Sequence, residues 1–268
     1  MIILCDIGGT HSRVARGDGA TLSLPVVFAT SQSYSAGIET LCAHIDTLRN
    51  GDTPTAVIIG IAGTLAPDRK SLIRAPHIPE WCGKNIVNDI GAVLGVPVHL
   101  ENDAALGALG EAVHGAGKGI GIVAYITVGT GIGGARVING VLDPSVSGFE
   151  IGHQYLGMGT DAKELEELVS GSAIRAERDI PAEQITDENV WDAYAQTLSY
   201  GVFNTILHWS PHIVVLGGAL FGTPGMKVEN VEKHLKNIGG AFPLPKLAHG
   251  TLGDSCGLYG ALVYASQV

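Results

Sequence analysis

One pattern in this chain occurs twice and limits the available folds more than any other feature: an apolar strand runs into a glycine turn and returns as a second strand. The first copy covers residues 2–5, the turn Asp6-Ile7-Gly8-Gly9-Thr10 and a returning strand over 12–16. The second covers residues 120–128, a glycine turn from Gly129 to Gly134, a strand over 135–138 and the hairpin signal Asn139-Gly140 before Val141-Leu142. Each strand must bury an apolar face, which calls for helices packed against it. The spacing supplies them. Apolar residues at Ile38, Leu41, Cys42, Ile45 and Leu48 recur at intervals of three and four, the stripe of a helix over 38–48. Helices are likewise predicted over 86–94, 104–113, 165–176, 190–208 and 257–265, and further strands over 22–28, 57–61, 96–100 and 213–216. The duplication predicts two α/β lobes with a cleft between them.

Composition narrows the class of partner. With 268 residues, 46% of them hydrophobic, the chain can bury a large core. Its 16 Lys and Arg against 26 Asp and Glu leave a net charge of −10, which opposes binding to nucleic acids and anionic membranes. The longest apolar stretches, 56–66 and 120–128, reach about half of the ~20 residues that a membrane helix needs. Neither nucleic acid nor membrane is an expected partner. Cys5, Cys42, Cys82 and Cys256 are widely separated, and the first residues lack the basic start of a signal peptide, which together predict a reducing, cytoplasmic setting.

Glycines concentrate where chemistry is expected. Gly129-Thr130-Gly131-Ile132-Gly133-Gly134 has the spacing of a dinucleotide fingerprint, but that motif must open a helix, whereas residues 135–142 continue as a hairpin. What remains is a pair of hairpin turns, either plain chain reversals or nests of backbone N–H groups that accept phosphate oxygens. Asp6 ends a strand directly before Gly8-Gly9-Thr10, where it either forms a local turn or anchors magnesium beside a phosphate. Asp103, after Asn102, lies between a strand and a helix and reads either as a helix N-cap or as a general base. Glu150 and His153, three apart after a Gly/Ser/Pro loop, either hold a polyhydroxy ligand or sit on a solvated loop.

Taken in order, these segments resemble the ROK sugar kinases, within the superfamily of actin-like, hexokinase and heat-shock chaperone ATPases. The segments that carry the resemblance are Asp6 to Thr10, Pro76-His77-Ile78-Pro79-Glu80-Trp81, Glu101-Asn102-Asp103-Ala104-Ala105 and Thr127 to Gly134. Gly148-Phe149-Glu150-Ile151-Gly152-His153, Leu165-Glu166 and Val214-Val215-Leu216-Gly217-Gly218 complete the set. The resemblance implies a two-lobed actin-like ATPase fold, a duplicated ribonuclease-H-like unit around a central cleft. One lobe would be 1–104 completed by 256–268, the other 105–255. It implies ATP-dependent phosphorylation of a hexose or amino-hexose hydroxyl, with Asp103 as catalytic base. Gly63, Asn102, Asp103, Glu150, His153 and Glu166 would bind the sugar. Asp6, Gly8, Gly9, Thr10, Gly129, Thr130, Gly131, Gly217 and Gly218 would bind ATP, with Mg²⁺ near Asp6, and the chain would act as a homodimer.

Three departures modify that picture. The family's cysteine zinc motif, expected between His153 and Glu166, is replaced by residues 154–163 without a thiolate, so zinc is not expected. His77 stands where the family usually has Asn, and His11 where it often has Lys. The family's repressors carry an N-terminal DNA-binding helix-turn-helix, whereas the first glycine-turn strand here starts at residue 2, so no DNA reader is expected. Two rivals follow: a sugar- and nucleotide-binding sensor without catalysis, and an acyl-phosphate kinase or ATPase of the same superfamily. Asp6 and Asp103 argue against the first, and Glu150, His153 and Glu166 against the second.

Overall fold

The computed structural model describes residues 1–19 and 21–268. They form two compact units: Met1–Gly110 with Pro144–Gly148 and Ser255–Val268, and Glu111–Asp143 with Phe149–Asp254.

The first unit begins with β1 (Ile2–Ile7), β2 (His11–Asp18), β3 (Thr21–Leu22) and β4 (Val26–Ala29), followed by α1 (Tyr34–Arg49), β5 (Val57–Ile61) and a small hairpin of β6 (Thr64–Leu65) and β7 (Leu72–Arg74). Next come α2 (Ile86–Leu94), β8 (Val98–Asn102) and α3 (Asp103–Val113). The sheet runs β3-β2-β1-β5-β8, with β4 also on β2. β1 is antiparallel to β2 but parallel to β5, which is parallel to β8. β5 is buried along its whole length, as expected of a continuous apolar run in a parallel sheet. The strand predicted over 22–28 is instead two short ones. Pro25 falls between them, and a proline offers no N–H to a ladder, so each piece pairs with a different stretch of β2.

The second unit repeats the plan. β9 (Ile122–Val128) and β10 (Ile132–Ile138) form the hairpin, with β11 (Val141–Leu142) beyond it across Asn139 and Gly140, both at positive φ as a tight two-residue turn requires. A second small hairpin pairs β12 (Tyr155–Leu156) with β13 (Lys163–Glu164). Helices α4 (Leu165–Val169), α5 (Gly171–Arg178) and α6 (Glu188–Trp209) follow, then β14 (Ile213–Gly217), α7 (Val228–Gly239) and β15 (Lys246–His249). The sheet order β11-β10-β9-β14-β15 has β9 antiparallel to β10 and parallel to β14, so both units share one topology. Its core gathers Ile126, Leu165, Trp191, Leu198, Val214 and Leu235. The single helix predicted over 165–176 breaks at Ser170, whose backbone is extended and whose hydroxyl accepts from Ala173 N at 3.1 Å to cap α5.

The chain ends in α8 (Cys256–Tyr264), which belongs to the first unit and packs Leu258, Ala261 and Leu262 with Leu4, Ile58 and Leu106. Among the described residues no helix is long and apolar enough to cross a membrane.

Candidate active site

In the first unit, three parallel strands end along one edge of the sheet. The register pairs Asp6 with Gly60 and Gly60 with Glu101, so the segments that leave β1, β5 and β8 emerge side by side. Gly8-Gly9-Thr10, Gly63 and Asn102-Asp103 are therefore neighbours because of sheet topology, although far apart in sequence. Ligands of parallel α/β sheets bind at such carboxyl ends.

The first glycine turn is closed by Gly8 N donating to His11 O at 3.0 Å and held from outside by the Thr30 hydroxyl, which donates to Gly8 O at 2.8 Å. Gly9 cannot be larger. A Cβ there would stand 2.5 Å from Cβ of His77, which places the exposed His77 against this turn. Asp6 is half-buried and faces Arg13, its partner across the ladder, at 3.9 Å. Gly257, in the first turn of α8, leaves room for the Asp6 carboxylate, which a Cβ would meet at 3.2 Å.

The capping role that the sequence allowed for Asp103 falls to its neighbour. Asn102, not Asp103, caps α3: its Oδ1 accepts from Ala105 N at 3.0 Å, while its Nδ2 donates to Gly63 O at 3.1 Å. Asp103 is the first helical residue, half-buried, with Oδ1 accepting from Ala104 N at 2.8 Å. Gly63 has φ 127, and a Cβ there would lie 2.6 Å from Arg74 O, so the turn whose carbonyl Asn102 binds needs glycine. Behind the pair lies a group that sequence reasoning missed. Glu101 is buried, accepts from Asn102 N at 2.9 Å and is ion-paired with Arg69, whose other nitrogen donates to Ser145 O at 3.2 Å. Burial, followed by the Glu101 charge, pushes the nearby Tyr264 hydroxyl up in pKa.

The second unit has its own strand edge. β9 ends at Val128 and β14 at Gly217, opposite Thr127, so Gly129-Thr130-Gly131 and Gly217-Gly218 lie together. Gly218 has φ 91, and a Cβ on it would stand 2.5 Å from Val128 O. β10 starts at Ile132, so no helix follows the second glycine turn, and the dinucleotide reading fails on structure as it did on pattern. The turn is bound to the start of α5: Gly171 N donates to Gly129 O at 2.8 Å and Ser172 N to Thr130 O at 3.1 Å.

Glu166 holds this turn as well. Its Oε2 accepts from Ile132 N at 2.6 Å and would touch a Cβ on Gly131 at 2.5 Å. The same Ile132 meets the segment that carries Glu150 and His153, because a Cβ on Gly152 would lie 2.4 Å from Ile132 O. That segment is a single 3-10 turn, residues Ile151–His153, with His153 N donating to Glu150 O at 3.1 Å. The His153 imidazole lies between two carboxylates: Nδ1 is 2.6 Å from Glu164 Oε2, and Nε2 is 3.8 Å from Glu150 Oε2. Glu164 was not among the residues singled out from sequence. The one available hint was a histidine in a segment without thiolates, which leaves it to find another partner.

The chain matches the ROK family over residues 2–268. It belongs to that family. A fructokinase from Streptococcus mutans is 26% identical over 90% of this chain and 87% of its own length. Among solved structures, a ROK hexokinase from Thermus thermophilus superposes with a TM-score of 0.84 at 26% identity, covering 99% of this chain and 98% of that one. A ROK family glucokinase from Streptomyces griseus, in complex with glucose and AMPPNP, gives a TM-score of 0.85 at 24% identity over 100% of this chain and 99% of that one. The fold of this ROK protein is therefore the actin-like two-domain ATPase fold.

The donor sets decide which metals suit this family member. A single carboxylate such as Asp6, beside a turn suited to phosphate, matches Mg²⁺, which keeps waters and substrate phosphates as most of its ligands. Structural zinc does not fit. Residues 154–163 carry no thiolate, and the His153 imidazole is held by the Glu164 carboxylate.

Proposed function

We infer that this ROK protein is an ATP-dependent sugar kinase that transfers a phosphoryl group to a hydroxyl of a hexose or amino-hexose. The observation that supports this reading is the position of Asp103, the first residue of α3 at the carboxyl edge of the sheet, where Asn102 rather than Asp103 makes the capping bond to Ala105 N. Asp103 accepts the proton of the attacking sugar hydroxyl as its oxygen bonds to phosphorus and ADP leaves. The N–H groups around Gly8-Gly9-Thr10 and Gly129-Thr130-Gly131 bind phosphate oxygens where charge develops, and Gly217-Gly218 lies toward the nucleoside. Asp6 would hold Mg²⁺, which supplies neutralisation of phosphate charge. Glu150 and His153 bind sugar hydroxyls, Asn102 fixes Gly63, and Glu166 supports the second glycine turn and binds the sugar. We further propose a homodimer, the commonest closed oligomer.

A coupled ADP-release screen over glucose, mannose, fructose, allose, N-acetylglucosamine and N-acetylmannosamine tests the reading. Turnover on at least one sugar is expected. Silence on all of them, with sugar binding intact by calorimetry, would assign the chain to the sensors.

Glu150→Gln separates the two substrates. A carboxylate paired with hydroxyls makes charge-assisted bonds, so the substitution is expected to cost about 1.5–3 kcal/mol of sugar binding, roughly ten- to a hundredfold in affinity. Calorimetry with ATP alone should register no change. Weakened ATP binding with an unchanged sugar KM would move Glu150 to the nucleotide site.

A further inference from the structure

His153 needs something to fix its ring. A neutral imidazole has two tautomers, and the hydrogen bond made by one nitrogen decides whether the other donates or accepts. Here one nitrogen is committed: Nδ1 lies 2.6 Å from Glu164 Oε2. An ionised carboxylate can only accept in such a contact, so Nδ1 carries a proton, and in the neutral ring Nε2 is then the nitrogen with the lone pair. Nε2 is 3.8 Å from Glu150 Oε2, so the two groups lie close enough for neighbouring hydroxyls of one sugar to reach both.

The backbone around the pair is braced by further bonds, and the Glu164 side chain shares in them through the capping box it forms with Glu167 at the start of α4. Leu165 N donates to Gln154 O at 2.9 Å, and Tyr155 pairs with Glu164 across the short hairpin. The Gln154 side chain is in turn anchored to Ile151 O, Gly201 O and Asn204, and Glu164 N is bound by Glu167 Oε2 at 2.9 Å. Such bracing leaves the Glu164 side chain in place to orient the imidazole, where a flexible loop would average its direction.

We propose that Glu164 is the positioning residue of the sugar site: it holds His153 in the Nδ1–H tautomer, so that Nε2 and Glu150 together accept from two hydroxyls of the sugar, without any metal. The inference rests on the kinase reading for its substrate but not for its tautomer.

The experiment therefore has two readouts on the full chain. Long-range ¹H–¹⁵N NMR of the imidazole, recorded without substrate, is expected to show the Nδ1–H form in the wild type and a shift to the Nε2–H form in Glu164→Ala. Steady-state kinetics with the best sugar of the screen should show the sugar KM of Glu164→Ala raised about tenfold or more, with the ATP KM within about threefold. Glu164→Gln keeps an oxygen acceptor on the same stem and should retain the Nδ1–H form, with a sugar KM within about threefold of the wild type. A tautomer that ignores Glu164→Ala, equal rises in both KM values, or a tautomer lost in Glu164→Gln would each overturn the proposal. Should Glu164→Ala not fold, loss of the Nδ1–H form in Glu164→Gln would still overturn the proposal. A wild type silent on every sugar would overturn the kinase reading, while the tautomer measurement would still judge Glu164. Protein purified without added metal should carry well under one zinc per chain, and a chelator should leave its Tm unchanged; stoichiometric zinc bound at His153 would also overturn the proposal.

Discussion

Asp103→Asn is expected to lower kcat by at least ~10², the scale of a lost general base, while leaving the fold and ATP affinity intact. The geometry makes this a sharp test, because a cap and a base fail differently. Asn at 103 preserves the shape of the side chain and an oxygen that can still accept from Ala104 N, the 2.8 Å contact seen for Asp103. The substitution also removes a negative charge from the first helical turn, worth about 0.3–1 kcal/mol. Asn102→Ala makes the complementary case. It removes the acceptor for Ala105 N and should cost about 0.5–2 kcal/mol of stability, the range for a lost N-cap. Steady-state turnover and thermal melts on the two variants separate the roles. If Asp103→Asn turned over within a few fold of the parent, Asp103 would be removed from the chemistry.

The difficulty of reading Asn102-Asp103 from sequence shows where such reading stops. Asn and Asp are nearly equal as caps, so which of two adjacent residues caps a helix depends on a register offset of one, which no periodicity reports. The repeated strand and glycine turn were legible because they rest on local rules: buried parallel strands read as apolar runs, and tight turns demand glycine or asparagine. Ser170 was legible in principle, as a serine that opens a helix, but the apolar pattern on either side runs on through it. The helix α7 carries its stripe at Val228, Val231 and Leu235, yet its buried fourth member is His234, a residue that dilutes the pattern. The strand β15, Lys246–His249, is a short edge strand with charged or polar ends, which lacks both strand signals. Contacts that shape the site are tertiary. Glu166 meets Ile132 N across 34 positions, and Glu164 meets His153 across a hairpin of two-residue strands too short to announce itself. Sequence named Glu166 only for the sugar and Glu164 not at all, and only the fold assigns both their partners.

Gly260→Ala should be among the most destabilising single-methyl changes in this protein, and the sign of its effect follows from two competing terms. Gly260 lies inside α8 without a positive φ, so alanine would favour the helix by about 0.5–1 kcal/mol. Against this, a Cβ there would stand 1.7 Å from Leu106 O and 2.5 Å from Leu106 C. The opposing contact is reciprocal, since a Cβ on Gly110 would stand 2.2 Å from Cys256 O. The helices α3 and α8 thus meet backbone to backbone, and a carbonyl held in a helix cannot rotate aside as a side chain would. The helices must separate, at an overpacking cost of about 1–3 kcal/mol or more. Packing wins. A net loss of about 2 kcal/mol corresponds to a Tm lower by roughly 4–8 °C for a chain of this size. Gly91 in α2 provides the opposite case, because a Cβ there would meet nothing closer than Val96 O at 3.6 Å, an ordinary contact. Gly91→Ala therefore leaves the helix term unopposed and should raise the Tm. Because α3 begins at Asp103, Gly260→Ala should also depress kcat, whereas Gly91→Ala should leave it unchanged. Equal melting temperatures for the two variants would mean that α3 and α8 are not locked together at these glycines.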